Sequence, residues 1–139
     1  MEKMINYGID LGTTNSAIAK FVKGEVEVFK NPLETGKETL PSVVYYKKDK
    51  VVVGTNARTY FERDAENVFG TFKRKMGTTE SFKVKSINQS KTPIELSAEV
   101  LKELKGFVHS AESFDAAVIT IPASFDVIQS NATKEAGYL

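Results

Sequence analysis

The segment with the most specific chemistry is Asp10-Leu11-Gly12-Thr13-Thr14-Asn15, which joins two short apolar runs of strand length. Glycine leaves room for a close approach to the backbone, and successive N–H groups in a tight turn form a concave anion site. The side chains of Thr13, Thr14 and Asn15 add neutral hydrogen-bond donors. These residue types favour a phosphate chain as ligand, while an ordinary hairpin turn with β-favouring threonines explains the segment alone equally well.

Two charged groups could assist such a turn. Asp10 ends the first strand, and a single carboxylate can hold Mg²⁺ through water because that ion keeps much of its hydration shell. The run Lys73-Arg74-Lys75 could neutralise phosphate, although a solvated helix face is the usual place for such a run. The only histidine, His109, has no second ligand or nucleophile beside it, so we expect it at a helix end or on the surface.

Apolar runs of strand length predict an antiparallel meander followed by a separate hairpin. The meander covers residues 4–10, 16–22 and 25–29, and the hairpin covers 42–46 and 50–54. In the third strand Val26 and Val28 alternate with glutamates, which is typical of a half-solvated strand. The polar stretch 78–93 favours short strands or a loop.

After Thr55 the spacing of apolar residues becomes helical. It predicts an amphipathic helix over 56–67, capped by Thr55 or Asn56, and a short helix over 69–76 that ends at Gly77. Both helices would follow the hairpin directly.

The last third of the chain predicts a helix, a strand and a helix. Ser97 is expected to cap a helix over 97–111, and the continuous apolar run 116–121 predicts a central strand buried on both faces, parallel to a strand of the meander. A capping box at Asp126 predicts a final helix running towards Gly137. The fold class is therefore α/β with a mixed sheet, and we expect sequence beyond this chain to complete that sheet.

Composition excludes several functions. The chain has 139 residues, no cysteine, and 19 basic against 18 acidic residues, for a net charge of +1. A disulfide framework and a thiolate metal site are therefore ruled out, and no global field attracts nucleic acid or an anionic membrane. No apolar run approaches the length of a membrane span or a signal peptide. We expect a cytoplasmic protein with neither nucleic acid nor membrane as partner.

The turn segment GIDLGTTNS resembles the first phosphate motif of the actin-like ATPase superfamily, which includes Hsp70 chaperones, sugar kinases and actin relatives. Later segments resemble the Hsp70 (DnaK-like) heat-shock chaperones in particular, and they occur in the same order. They are NPLETGKETLPSVVYY (31–46), VVVGTNA (51–57), FGTFKRKMG (69–77), SAEVLKELK (97–105), and VITIPASF with ATKEAG (within 118–137). The chain is similar to the N-terminal part of an Hsp70 nucleotide-binding domain.

The resemblance implies an actin-like ATPase (ribonuclease H-like) fold, of which residues 1–139 would form part of the first lobe. An inner subdomain would comprise 1–36 and 111–139, and an outer subdomain would comprise 37–110. The second lobe and the substrate-binding domain would be absent from the chain.

The resemblance also assigns a nucleotide site for ATP or ADP with Mg²⁺. The residues Gly12, Thr13, Thr14 and Asn15 match the turn that contacts the phosphates. Asp10 matches the carboxylate beside the metal, which it holds through water. Lys73 matches the catalytic lysine that reaches the γ-phosphate and helps position the attacking water.

For the full-length protein the resemblance implies an ATP-dependent chaperone that assists protein folding and the stress response. Its partners would be unfolded polypeptide clients, a J-domain co-chaperone and a nucleotide exchange factor. We expect the 139-residue chain to be catalytically incomplete by itself, so whether it acts as an enzyme depends on the rest of the protein.

The chain departs from the family after residue 121. Ser124 and Ser130 stand where the family carries an aromatic residue and an arginine that couple nucleotide state to the substrate-binding domain. Pro122, which serves interdomain coupling in the family, and Lys134 are retained. We therefore expect the local fold to be kept and the coupling to be altered.

Two other functions remain open at this point. A small-molecule kinase of the same superfamily would share IDLGTT but lack the KR and VITIPASF segments. A filament subunit or a non-catalytic interaction module would use the fold for binding alone.

Overall fold

The computed structural model describes residues 7–22, 24–34, 36–108, 117–120 and 127–138. In chain order its strands are β1 (Tyr7–Leu11), β2 (Asn15–Val22), β3 (Glu25–Val28), β4 (Leu40–Pro41), β5 (Val43–Tyr46), β6 (Val51–Val53), β7 (Val68–Gly70), β8 (Phe82–Val84), β9 (Gln89–Lys91) and β10 (Val118–Thr120). Its α-helices are α1 (Thr55–Arg58), α2 (Pro93–Lys105) and α3 (Val127–Tyr138).

The first sheet is mixed and has the order β10-β1-β2-β3, with β4 paired to β2 as well. The pairs β1–β2 and β2–β3 are antiparallel, which confirms the predicted meander. β10 runs parallel to β1, with Ile119 opposite Ile9, which confirms the predicted parallel strand.

The prediction that the 116–121 segment is buried on both faces is wrong for the described part of the chain. β10 ends the sheet order, and its Val118 is 55% exposed. α2 and α3 pack against each other, and both contribute to the core that covers the face carrying Ile9 and Ile18. No described element covers the opposite face.

The same open face explains a second error, in β3. All four residues of β3 are exposed, with Val26 61% exposed and its cross-strand neighbour Phe21 58% exposed. Directly opposed residues of an antiparallel pair share one face. The alternation of valine with glutamate therefore marks two faces correctly, but neither face of β3 is covered.

The hairpin prediction for 42–46 and 50–54 is confirmed by the antiparallel pair β5–β6. The helix predicted over 56–67 is wrong, because α1 ends at Arg58 and only two short 3₁₀ segments follow it. Gly54, not Thr55 or Asn56, occupies the N-cap position, and no side chain caps the helix. Asp64 has a non-helical backbone, with φ of −149° and ψ of 50°, and its carboxylate accepts hydrogen bonds from Tyr45 and Asn67.

The helix predicted over 69–76 is wrong in type. β7 pairs with β5, and a 3₁₀ segment, Phe72–Lys75, then leads to Gly77. Gly77 has φ of +80°, a left-handed conformation that glycine adopts without strain. The prediction of short strands within 78–93 is confirmed by the β8–β9 pair.

The long helix starts and ends earlier than predicted. Thr92 caps α2 through a capping box with Glu95, and the last helical residue is Lys105. Ser97, the predicted cap, lies inside the helix and is fully buried, where its hydroxyl contacts Met76 Sδ at 3.6 Å. Residues 109–116, with His109, lie outside the described residues.

The final helix is confirmed as α3, which continues through Gly137 to Tyr138. Its predicted capping residue, Asp126, lies outside the described residues. Within the described ranges, no helix is both long enough and apolar enough to cross a membrane.

Tyr46 carries a hydroxyl that is buried without a hydrogen-bond partner among the described residues. Burial, followed by the nearby charges of Glu99 and Glu95, raises the pKa of Tyr46, so the side chain is neutral at physiological pH. An unsatisfied buried polar group costs about 1–3 kcal/mol. Replacing Tyr46 by phenylalanine is therefore expected to raise the free energy of unfolding by about 1 kcal/mol, as measured by urea denaturation.

Tyr45 provides the matched control. It is equally buried, but its hydroxyl donates to Asp64 Oδ2 at 2.8 Å. Tyr45→Phe removes a satisfied hydrogen bond and is expected to lower the free energy of unfolding by about 1 kcal/mol. Equal changes in both variants would contradict the assignment of the Tyr46 hydroxyl as unsatisfied.

Candidate phosphate-binding site

The turn between β1 and β2 is tight because of Gly12. A Cβ placed on Gly12 would overlap the carbonyl oxygen of Asn15, so no larger residue fits without moving the turn. The glycine is thus required by the turn itself, whatever binds to it. Thr13 is half-buried, whereas Thr14 and Asn15 are exposed at the surface.

Two buried serines hold this turn in place, and the sequence predictions did not include them. Ser42 Oγ donates to the Gly12 carbonyl oxygen at 2.8 Å, and the Ser42 N–H donates to the Thr14 carbonyl oxygen at 2.8 Å. Because the single hydroxyl proton of Ser42 is used in this way, Ser16 donates to Ser42 Oγ across 2.8 Å. Both serines lie in segments that carry the family resemblance, since Ser16 ends GIDLGTTNS and Ser42 lies within 31–46.

The carbonyl oxygens of Gly12 and Thr14 are therefore bonded inward. By contrast, the N–H groups of Thr13 and Thr14 donate no recorded hydrogen bond within the described part of the chain. A tight turn that keeps successive N–H donors available in this way is suited to an anion.

Lys73 lies beside this turn. The Lys73 ammonium donates to the carbonyl oxygen of Leu11, the residue that precedes Gly12. Burial lowers the pKa of Lys73, and the negative charge of Asp10 partly opposes that shift. The side chain is 5% exposed, so the alternative of a solvated helix face is wrong for Lys73.

The alternative of a solvated surface holds for the two residues that follow Lys73. Arg74 and Lys75 are exposed, and Lys75 pairs with Glu80 at 3.4 Å on the surface. The 3₁₀ segment is anchored on both sides of Lys73 by Phe72, 2% exposed, and Met76, fully buried. Because these two apolar side chains pack in the core, Lys73 between them is buried as well.

Asp10 is exposed at the end of β1, next to the partner strand β10. Thr120 Oγ1 lies 3.3 Å from Asp10 Oδ1 and 3.3 Å from the Ile9 carbonyl oxygen. The parallel register places Thr120 directly opposite Asp10. This neighbour was not predicted, because the register of β10 cannot be read from the sequence.

Asp10 is the carboxylate that could bind a metal ion beside this turn. Among the residues that the structure describes, no group of three or more His, Cys, Asp or Glu side chains could hold a metal. One carboxylate is enough to hold a hydrated Mg²⁺ through water, because this ion keeps several of its water ligands.

Pro122, the residue predicted to serve interdomain coupling, lies outside the described residues, and so does Ser124. Ser130, which replaces the arginine of the family, is half-buried on α3, and the retained Lys134 is exposed on the same helix. α3 also contacts the segment that carries Lys73, because a Cβ on Gly77 would lie 3.0 Å from Ile128 Cγ2 and 3.2 Å from Gln129 N.

The fold and the site define a mixed α/β protein whose first hairpin turn offers unused N–H donors beside a buried lysine. The chain belongs to the Hsp70 family, because the family model described as "Hsp70 protein" matches residues 6–139. It is 42% identical over 141 residues to the chaperone protein DnaK of Ureaplasma urealyticum, covering 100% of this chain and 23% of that protein. It is 42% identical to DnaK of Mycoplasma mobile over 138 residues and 40% identical to DnaK of Mycoplasmopsis agalactiae over 139 residues, in each case covering 22% of the relative.

The chain thus spans less than a quarter of the length of the curated relatives it matches.

Proposed function

We propose that this chain is the phosphate-binding first part of the ATPase domain of an ATP-dependent, Hsp70-type chaperone. The observation that carries the proposal is the buried Lys73 ammonium beside the β1–β2 turn, 62 residues away in sequence. A buried charged group is tolerated where it is paired or hydrogen-bonded, and the Lys73 ammonium is bonded to the backbone that immediately precedes the turn. A phosphate chain bound on the turn would lie close to this ammonium and be attracted by its positive charge.

In this proposal each residue has a defined task towards ATP or ADP. The N–H groups of Gly12 to Thr14 and the side chains of Thr13, Thr14 and Asn15 bind phosphate oxygens. Lys73 neutralises charge at the terminal phosphate and orients the attacking water. Asp10 holds a hydrated Mg²⁺, which screens the phosphate charge when bound. Phosphoryl transfer depends mainly on such positioning and neutralisation.

The fold we propose is the actin-like ATPase (ribonuclease H-like) fold, with this chain in the first lobe. The division into an inner subdomain (1–36 and 111–139) and an outer one (37–110) is supported by the placement of two sheets. The β5–β6–β7 and β8–β9 sheets lie wholly within 37–110, while β1 to β3 and β10 lie outside it. β4, at the start of 37–110, is the one described strand of that range that pairs with the first sheet.

The longer protein would act in the cytoplasm on unfolded polypeptides, with a J-domain co-chaperone and a nucleotide exchange factor. ATP turnover of the full-length protein that is stimulated by an unfolded peptide would support this function. Turnover that requires a sugar would identify a small-molecule kinase instead, and growth of light scattering with ATP would identify a filament protein.

The isolated 139-residue chain is expected to bind ATP only weakly and not to hydrolyse it. Hydrogen bonds to charged groups contribute about 1.5–3 kcal/mol each. Without even three such hydrogen bonds from a second lobe, the dissociation constant for ATP rises by a factor of about 10³ to 10⁶. Isothermal titration calorimetry of the chain with ATP and Mg²⁺ tests this. A sub-micromolar dissociation constant would show that the chain forms the whole site.

A further inference from the structure

A pocket of about 170 Å³ lies between the loop after β3 and the start of α1, away from the Lys73 site. Its lining combines two buried apolar residues, Leu40 and Val53, with the polar residues Glu34, Thr55 and Asn56. Pockets for small-molecule ligands usually measure about 300–1,000 Å³, whereas an apolar cavity of about 150 Å³ accepts a group the size of benzene. The pocket is therefore the size of one side chain.

The wall of this pocket is held rigidly by Asn31, which is 4% exposed. The Asn31 N–H donates to the Lys37 carbonyl oxygen at 2.8 Å, and the side-chain amide donates to the Thr39 carbonyl oxygen at 3.3 Å. Asn31 Oδ1 accepts from the Leu33 N–H at 2.9 Å. A loop fixed in this way loses little conformational entropy when a partner binds.

Glu34 gives the pocket its charge. Its Oε2 accepts a hydrogen bond from Thr55 Oγ1 at 2.6 Å, which fixes the carboxylate at the pocket. No lysine or arginine of the described ranges pairs with Glu34. A fixed carboxylate beside an apolar lining, without a cation, is complementary to a basic side chain with an aliphatic stem.

We propose that this pocket receives an arginine side chain presented by a partner protein. The stem would lie against Leu40 and Val53, and the guanidinium would pair with Glu34. Arginine fits better than lysine because its planar group is more weakly hydrated and forms two hydrogen bonds to a carboxylate. Leu33, which lines the pocket and is 66% exposed, offers an apolar contact around the anchor.

A protein partner is favoured over a free small molecule by the size of the pocket. A ligand of so few atoms binds weakly by itself, whereas arginine is a frequent anchor at the centre of protein interfaces. This proposal is independent of the nucleotide function, because none of its residues belongs to the phosphate site.

The test is an NMR titration of the ¹⁵N-labelled chain with the peptide acetyl-Gly-Arg-Gly-amide. Saturable amide shifts are expected at Glu34, Thr55 and Asn56, with a dissociation constant on the order of 1 mM. The same peptide with citrulline in place of arginine has nearly the same shape without the charge. It is expected to bind about tenfold more weakly.

Glu34→Gln is expected to weaken binding of the arginine peptide about tenfold as well. Glu38→Gln removes an exposed carboxylate of the same loop that does not line the pocket, and it is expected to leave binding unchanged. The proposal would be overturned if the citrulline peptide bound as tightly as the arginine peptide. It would also be overturned if the amide shifts occurred away from the pocket or did not saturate. Guanidinium chloride that binds as tightly as the peptide would also overturn it, since the stem would then contribute nothing.

Discussion

Replacing Lys73 by methionine is expected to lower ATP turnover of the full-length protein by about 10²- to 10³-fold, the usual effect of removing one preorganised charged donor. Methionine has a similar volume and suits the buried surroundings of Lys73, so the segment between Phe72 and Met76 keeps its packing. The loss should fall on kcat more than on KM, because the proposed role is stabilisation of charge in the transition state. Single-turnover kinetics with ATP measure it directly.

Lys75→Met is the matched control for this substitution. Lys75 lies two residues away in the same 3₁₀ segment, but it is exposed and pairs with Glu80 on the surface. We expect turnover of Lys75→Met to equal that of the parent protein. A comparable loss in both variants would mean that Lys73 acts only through the general charge of the segment.

Burial of Lys73 also links the stability of the fold to pH. The folded state lowers the pKa of Lys73 below its ordinary value of 10.5, so between the two pKa values the unfolded chain binds more protons than the folded chain. The free energy of unfolding should therefore rise with pH in the range just below 10.5, and this rise should be absent in Lys73→Met. Urea denaturation of the 139-residue chain at a series of pH values measures both. Identical pH profiles would contradict the burial of Lys73.

Gly12→Ala is expected to lower the free energy of unfolding by about 2–3 kcal/mol, within the range for overpacked positions. The added methyl group would overlap the Asn15 carbonyl oxygen, and that overlap involves backbone, which cannot rotate away. Moving the turn would also lengthen the hydrogen bond from Ser42 to the Gly12 carbonyl oxygen. Thermal denaturation followed by circular dichroism gives the change.

Gly8→Ala is the control, four residues earlier in the same hairpin. A Cβ on Gly8 meets no atom within 4 Å, so alanine there should leave stability unchanged or raise it by about 0.5 kcal/mol. If the two variants lost the same stability, the close approach of Gly12 to Asn15 would not be the cause. The same pair of variants, placed in the full-length protein, would separate effects on nucleotide binding from effects on the strand.

Strands were predicted more successfully than the middle helices. In β1, β2 and β5 the apolar runs of strand length and the intervening turns act over a few residues, so local sequence determines them. The helical spacing over 56–67 was misleading, because the short α-helix and the two 3₁₀ segments that occur there place apolar residues at similar intervals, while Asp64 between them is non-helical. Asp64 is bonded to Tyr45, 19 residues away, and local periodicity does not report contacts of that range.

At the start of α2, two residues of the sequence have a side chain that can cap a helix. Thr92 and Glu95 form a capping box that was present in the sequence, while Ser97, an equally plausible cap, is buried against Met76 instead. Both residue types can cap a helix, and packing against the 3₁₀ segment decides between them. Only the later start was predicted, and the helix begins earlier because Ser97 packs in the core.

The family, the mixed α/β class and the turn residues could be predicted from the printed residues, because these depend on residue types at short spacing. Which of three adjacent basic residues is buried follows only from packing, since the anchors on either side of Lys73 direct it towards Leu11. The tertiary structure also decided that Ser16 and Ser42 hold the turn and that Thr120 adjoins Asp10. These contacts join residues 26 to 110 positions apart, so strand register and side-chain packing, which no local pattern encodes, create them.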